Sequence, residues 1–157
     1  MRKLFPFLMI FGLLVMTACD SDSNGDDSSS DSEMLVGTWA VAGLTDASGD
    51  RSAGLVESYN SVLITLTANG GVTMAVDAKV PEASLTATGT YTVNESENSM
   101  TATLEVLGQP TPLSFGYEFA DDNTLRLTPV PSTTILLGVL FQTQYADPVL
   151  FTFTKVG

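Results

Sequence analysis

The chain has 157 residues, with 18 Asp and Glu against 6 Lys and Arg, one Cys and no His. Without histidine there is no Ser-His-Asp triad, no Cys-His pair and no imidazole zinc site, and a lone cysteine permits no disulfide within the chain. A net charge of −12 repels phosphate backbones, so no nucleic-acid partner is expected, and the length suits one domain with one hydrophobic core.

Met1-Arg2-Lys3 carries two positive charges, and a nearly unbroken apolar run follows from Leu4 to Val15. This is the order of a signal peptide, a basic segment before an apolar one. The uncharged stretch Leu4 to Ala18 is 15 residues, short of the ~20 a spanning helix needs. Met16-Thr17-Ala18-Cys19 then resembles the lipobox of bacterial lipoproteins. The resemblance implies cleavage before Cys19, acylation of its thiol by diacylglycerol and of the new amino terminus by a further chain such as palmitate, and a membrane as partner. Two or more acyl chains give stable anchoring where one is marginal. Residues 1–18 are thus expected to be a lipoprotein signal peptide.

Residues 19–33 are expected to be the lipidated cysteine and a disordered tether. Asp20 to Glu33 reads DSDSNGDDSSSDSE, with no apolar residue and no base. Such a segment cannot bury enough surface to offset its backbone entropy, and its like charges extend it. Its fourteen residues reach at most ~50 Å. An acidic, Ser-rich run after a lipidated cysteine also resembles surface-export signals of some lipoproteins. The expected location is therefore the bacterial cell envelope, anchored in the outer membrane on its periplasmic or surface face.

Asp20, Asp22 and Asn24, with Gly25 and Asp31, also match the spacing of a calcium loop, since oxygen ligands at alternate positions around a glycine bend suit a hard cation. The context opposes that alternative. No helix precedes Asp20, and Asp27 stands where such loops carry an apolar residue. No metal and no cofactor is expected.

From residue 34 to residue 157 the pattern has period two, as half-buried antiparallel strands require. An opening strand is predicted over Leu35 to Leu44. Val62, Ile64 and Leu66 then lead into Asn69-Gly70, and Val72, Met74 and Val76 lead out of it, the pattern of a hairpin. Alternation returns in Leu85 to Val93 with Thr on the other face, in Met100 to Val106, in Leu113 to Phe119 after Pro110 and Pro112, in Leu125 and Leu127, and in Val149 to Phe153. That makes eight strands. Eight consecutive strands joined by short turns avoid exposed edges by closing, and a barrel of eight is either filled by side chains or holds one small ligand. The predicted fold is all-β, an eight-stranded antiparallel up-and-down barrel with at most one or two short helices. Ala53 to Tyr59 suits a short helix. Within residues 131–148, Ile135 to Phe141 reads equally as a helix, an extra strand or a plug over one barrel end.

Leu35-Val36-Gly37-Thr38-Trp39 resembles the Gly-x-Trp opening of lipocalins and of bacterial lipocalin-like domains. Residues 64–70, 89–93 and 123–128 follow in a similar order. The resemblance implies that Trp39 plugs the closed end of the barrel with a basic residue across its indole, a role for which Lys155 is the candidate. It also implies a small hydrophobic ligand as partner. Trp39, Met74, Tyr91, Met100, Phe115 and Tyr117 are the candidate ligand-binding residues, with Phe151 and Phe153 beside them, since thioethers adapt their shape and Tyr adds a polar handle. The same residues would equally fill a core. The alternative is then a structural or protein-interaction module of the envelope, with a filled barrel and an envelope protein as partner. No catalytic residue and no enzyme activity is expected, because no pair of carboxylates is placed to act as acid and base.

Overall fold

Thr and apolar residues alternate along the chain, and in the computed structural model this alternation becomes the outer and inner faces of a closed sheet. The structure describes residues 30–80 and 83–157. A short helix α1 (Asp31–Leu35) precedes β1 (Gly37–Asp46), and β2 (Gly49–Asp50) folds back on the end of β1. Helix α2 (Ser52–Ser58) follows, then β3 (Tyr59–Leu66), β4 (Gly71–Ala78), β5 (Leu85–Asn94), β6 (Ser99–Val106), β7 (Gln109–Asp121) and β8 (Thr124–Pro129). Helix α3 (Pro131–Leu140) leads into β9 (Leu150–Val156). Strands β1 and β3 to β9 each pair antiparallel with their neighbours in this order, and β9 pairs with β1 from Thr38↔Val156 to Thr45↔Leu150. The sheet therefore closes into an eight-stranded up-and-down barrel of the lipocalin-like type, each of the eight strands having a partner on both sides.

The Asn69-Gly70 hairpin forms in the register its alternation requires, Ile64 opposite Met74 and Leu66 opposite Val72. Gly70 takes a left-handed φ of 80°, which a side chain would resist. In β1 the alternation is broken on purpose. Trp39 is buried, and a bulge between Val41 and Gly43 resets the parity so that Leu44 and Asp46 also point inward. One extra residue in a strand does this by shifting every later side chain to the opposite face.

Two expectations are corrected. Pro110 and Pro112 stand within β7, paired with Glu105 and Thr103, instead of before a strand that begins at Leu113. Their even-numbered neighbour Ser114 sends its backbone away from β6, with its N–H to Thr133 Oγ1 and its C=O to the Val130 N–H. The missing proline donors thus face the side where β8 has ended, since β7 pairs with β8 only from Phe115 onward, and no ladder bond is lost. There are also three α-helices, one more than expected, because Asp31 to Leu35 is helical and not tether. The Ser30 hydroxyl accepts from the Glu33 N–H, and Leu35 is fully buried. Residues 19–29, including Cys19, Asp20, Asp22 and Asn24, lie outside the described residues.

The two ends of the barrel differ. At the proximal end stand α1, the turns β3–β4, β5–β6 and β7–β8, and the end of β9. At the distal end stand α2, the connections β4–β5 and β6–β7, and α3.

Candidate functional site

The proximal end is a solid plug. Trp39 is fully buried, its indole N–H donates to the Leu35 carbonyl at 2.8 Å, and the Lys155 ammonium sits 5.1 Å from its ring centroid. That ammonium also donates to the Met34 carbonyl. Gly37 has φ 141° and a Cβ there would stand 2.8 Å from Lys155 Cε, so Gly, Trp and Lys act as one unit. Tyr117 donates to Asp31 at 3.1 Å, while Glu95 accepts from the Ser32 N–H. These contacts fix where the chain enters the barrel.

Burial first, then the hydrogen bond and charge of Asp31, push the Tyr117 hydroxyl up to about 12 from its ordinary 10.0. Tyr145 is pushed up to about 12, mainly by burial and then by Tyr59. A raised folded-state value leaves stability intact below the unfolded value and removes it as pH rises toward the folded one. The domain is therefore expected to lose stability between about pH 10 and pH 12. Tyr117→Phe is expected to shrink that loss in alkaline melts, at a cost of about 1 kcal/mol at neutral pH for the bond to Asp31.

Inside the barrel the side chains nearly meet. The residual cavity is about 50 Å³. Its lining is entirely apolar and includes Met74, Met100, Phe115, Leu137, Phe141, Phe151 and Phe153. Small-molecule pockets run from ~300 Å³ upward, so this space holds no ligand of that size. Of the candidate ligand residues, the structure brings Met74, Met100 and Phe115 together on the cavity, with Phe151 and Phe153. Trp39, Tyr91 and Tyr117 lie outside its lining. Tyr91 sends its hydroxyl to the Thr67 carbonyl at the proximal end, where Trp39 and Tyr117 form the plug. The inward face was legible from alternation, but depth along the barrel was not.

The distal end is closed by α3. Thr133 and Leu137 face inward, and the Thr133 hydroxyl accepts from the Ser114 N–H at 2.8 Å. The helix ends in a Schellman motif, with Gln142 left-handed at φ 50°, its N–H on the Val139 carbonyl and the Thr143 N–H on the Gly138 carbonyl. That return crosses Gly138 so closely that a Cβ would stand 2.8 Å from the Thr143 carbonyl oxygen. Phe141, packed edge-on against Tyr59 at 5.6 Å, follows as the last stopper. Met74 and Phe141 border both the cavity and an outer groove of about 440 Å³. Those two side chains thus face both the inside and the outside of the barrel at this end.

Asp46 secures this arrangement, and sequence reasoning did not single it out. Its buried carboxylate accepts from the Ser48 N–H at 2.8 Å and the Ala146 N–H at 3.3 Å, and Arg51 Nε lies 3.4 Å away. The end of β1 is thereby tied to the segment joining α3 to β9. The local signal was Asp-x-Ser-Gly, an Asx turn; the long-range partner Ala146 left no trace in sequence. Burial raises the Asp46 pKa, but the backbone donors Ala146 and Ser48 together with Arg51 outweigh it and hold the carboxylate below its ordinary 3.8. A depressed value contributes stability above the unfolded pKa that is lost as pH falls through the folded one. Asp46→Asn is expected to lower the melting temperature at pH 7 and to flatten the melting curve's dependence on pH below about 4.

Among the described residues the other acids form no converging site. Glu118 pairs on the outer face with Arg126 at 3.7 Å, and Asp121 accepts from the Asn123 N–H in its turn. Among the described residues no group of three His, Cys, Asp or Glu is placed to hold a metal ion, and Asp31 is engaged with Tyr117. Among them, too, no helix is long and apolar enough to cross a membrane. No protein-family model and no curated protein matches the chain.

Proposed function

We propose that the chain is a lipid-anchored lipoprotein of the bacterial cell envelope whose filled lipocalin-like barrel serves as an interaction module and not as a carrier. The observation that carries this reading is the interior volume, about 50 Å³ within an eight-stranded barrel plugged at both ends. Anchoring is supported by the lipobox-like Met16 to Cys19 and by the acidic run that follows. Removal of Arg2 and Lys3 leaves 4 bases against 18 acids, a net −14, on a chain held at the membrane by Cys19. The outer membrane is the proposed location. No catalytic residue is assigned.

One observation favours a second reading. Met74 and Phe141 border both the apolar cavity and the distal groove, so displacement of α3 would open the cavity toward the groove as a site for a small hydrophobic molecule lined by Met74, Met100 and Phe115.

Growth of the producing cells on labelled palmitate tests the anchoring. Label is expected in the native chain, in the membrane fraction, and absent from the Cys19→Ala chain. An unlabelled native chain would overturn it.

A further inference from the structure

Large apolar side chains are exposed at one end of this barrel and almost nowhere else. Of the eight that are exposed among the described residues, seven stand at the distal end, and Val156 at the proximal end is the exception. Each of the four distal connections contributes: Val56 in α2, Val80 after β4, Leu107 between β6 and β7, and Ile135 and Val139 in α3. Leu107 is 94 % exposed and Val139 is 72 % exposed. Leu107 is moreover held at φ 52° beside Gly108 at φ 75°, in a turn that favours Asn or Gly at its place. Nothing inside the fold gains from a strained, solvated leucine. Exposed apolar side chains gathered on one face mark an interaction site.

The charge around them is mainly negative. Leu127 to Ala146, with α3 at its centre, carries no charge. Around it Asp50, Glu57, Asp77, Glu105 and Asp147 are exposed, against Arg51 and Lys79. We propose that the distal end docks a protein whose contact face is apolar at its centre and rimmed by Lys and Arg. This rests on reading the filled barrel as an interaction module. The acidic rim disfavours both a second copy of the chain, which brings the same rim, and a membrane surface of anionic lipid. Geometry adds to this. The chain enters at the proximal end, and Cys19 to Ser30 reaches at most ~40 Å. The strands run roughly 25 Å onward from that entry, so the distal face lies at the far end of the barrel from the point where the tether joins it.

The test uses the full lipidated chain in vesicles, with two fluorescent helical peptides sharing one Leu face, one carrying Lys on its other face and one carrying Glu. The Lys peptide is expected to bind roughly tenfold or more tightly than the Glu peptide, weakening with salt. Leu107→Ser combined with Val139→Ser is expected to lose about tenfold of that affinity, while Asp121→Asn with Asp122→Asn at the proximal end leaves it within about twofold. Equal binding of the two peptides, or equal loss from the proximal variant, would overturn the proposal. So would quenching by brominated lipid of a fluorophore on Val139→Cys, which puts the face in the bilayer, or a dimer dissolved by Val139→Ser. Palmitate labelling and the content of the barrel are read separately, so failure of docking is distinct from failure of the anchored, filled barrel.

Discussion

Trp39→Ala is expected to cost about 3–5 kcal/mol, the largest effect of any single truncation in this core. Three losses coincide at that site. The indole is fully buried, so its removal leaves a cavity that a sheet closed on both sides cannot collapse. The Leu35 carbonyl loses its donor, and an acceptor left buried without a partner costs about 1–3 kcal/mol by itself. The Lys155 ammonium loses the ring it covers. Domains of this kind have about 5–15 kcal/mol in total, so the variant is expected to melt far below the parent or to accumulate unfolded. Trp39→Phe keeps most of the volume and is expected to fall between the two. Thermal melts of the three chains check the order; a Trp39→Ala chain that melts within a few degrees of the parent would show that the plug is not where stability resides.

Gly89→Ala is expected to be nearly as damaging for the opposite reason, too many atoms. Gly89 pairs with Val72 on one side and Leu104 on the other. A Cβ built there collides with the Thr103 carbonyl oxygen and stands 2.8 Å from its carbonyl carbon and 3.0 Å from Leu104 Cα. All three atoms are backbone of β6, so no rotamer change relieves them. Overpacking against side chains costs roughly 1–3 kcal/mol, and against a paired strand the cost is expected at the top of that range or above it. Gly54→Ala is the internal control. Gly54 lies in α2 with nothing within 4 Å of its added Cβ, so the same substitution is expected to stabilise by about 0.5–1 kcal/mol. Urea titrations of both variants read the two signs, and a Gly89→Ala chain as stable as the parent would contradict the close approach of β5 and β6.

The strands were legible because Thr and apolar residues encode the two faces of a sheet directly. β3 to β6 and β9 follow the alternation almost residue for residue, and closure followed from the number of strands. What escaped the sequence depends on contacts between distant segments. The run Ile135 to Phe141 is apolar on every side, so its period could not separate helix from strand. Pro131 at the first turn, Thr133 on the Ser114 N–H and the close return over Gly138 make it a helix lying across the distal end. The strand was expected to begin at Leu113, after Pro110 and Pro112, yet β7 takes in both prolines where β8 no longer pairs with it. Asp31 and Glu33 read as tether because of their charge, but that charge suits the first turn of α1, where the helix end favours acids, and Asp31 meets Tyr117 across 86 residues. For the candidate site the alternation marked the apolar face of each strand. Which inward residues plug an end and which border the cavity depends on depth, and period two carries no information about depth.

The central claim is that the barrel is full, its function lying on its outer surface at the distal end. Mass spectrometry of the intact chain purified from its own membranes, with organic extraction of the same sample, tests that claim most directly. The predicted result is a chain carrying only its covalent acyl groups, with no small hydrophobic molecule present in stoichiometric amount. A stoichiometric apolar ligand that is lost when Met100 is enlarged to Trp would contradict it, because it would require α3 to open and the space around Met74, Met100 and Phe115 to be a binding site.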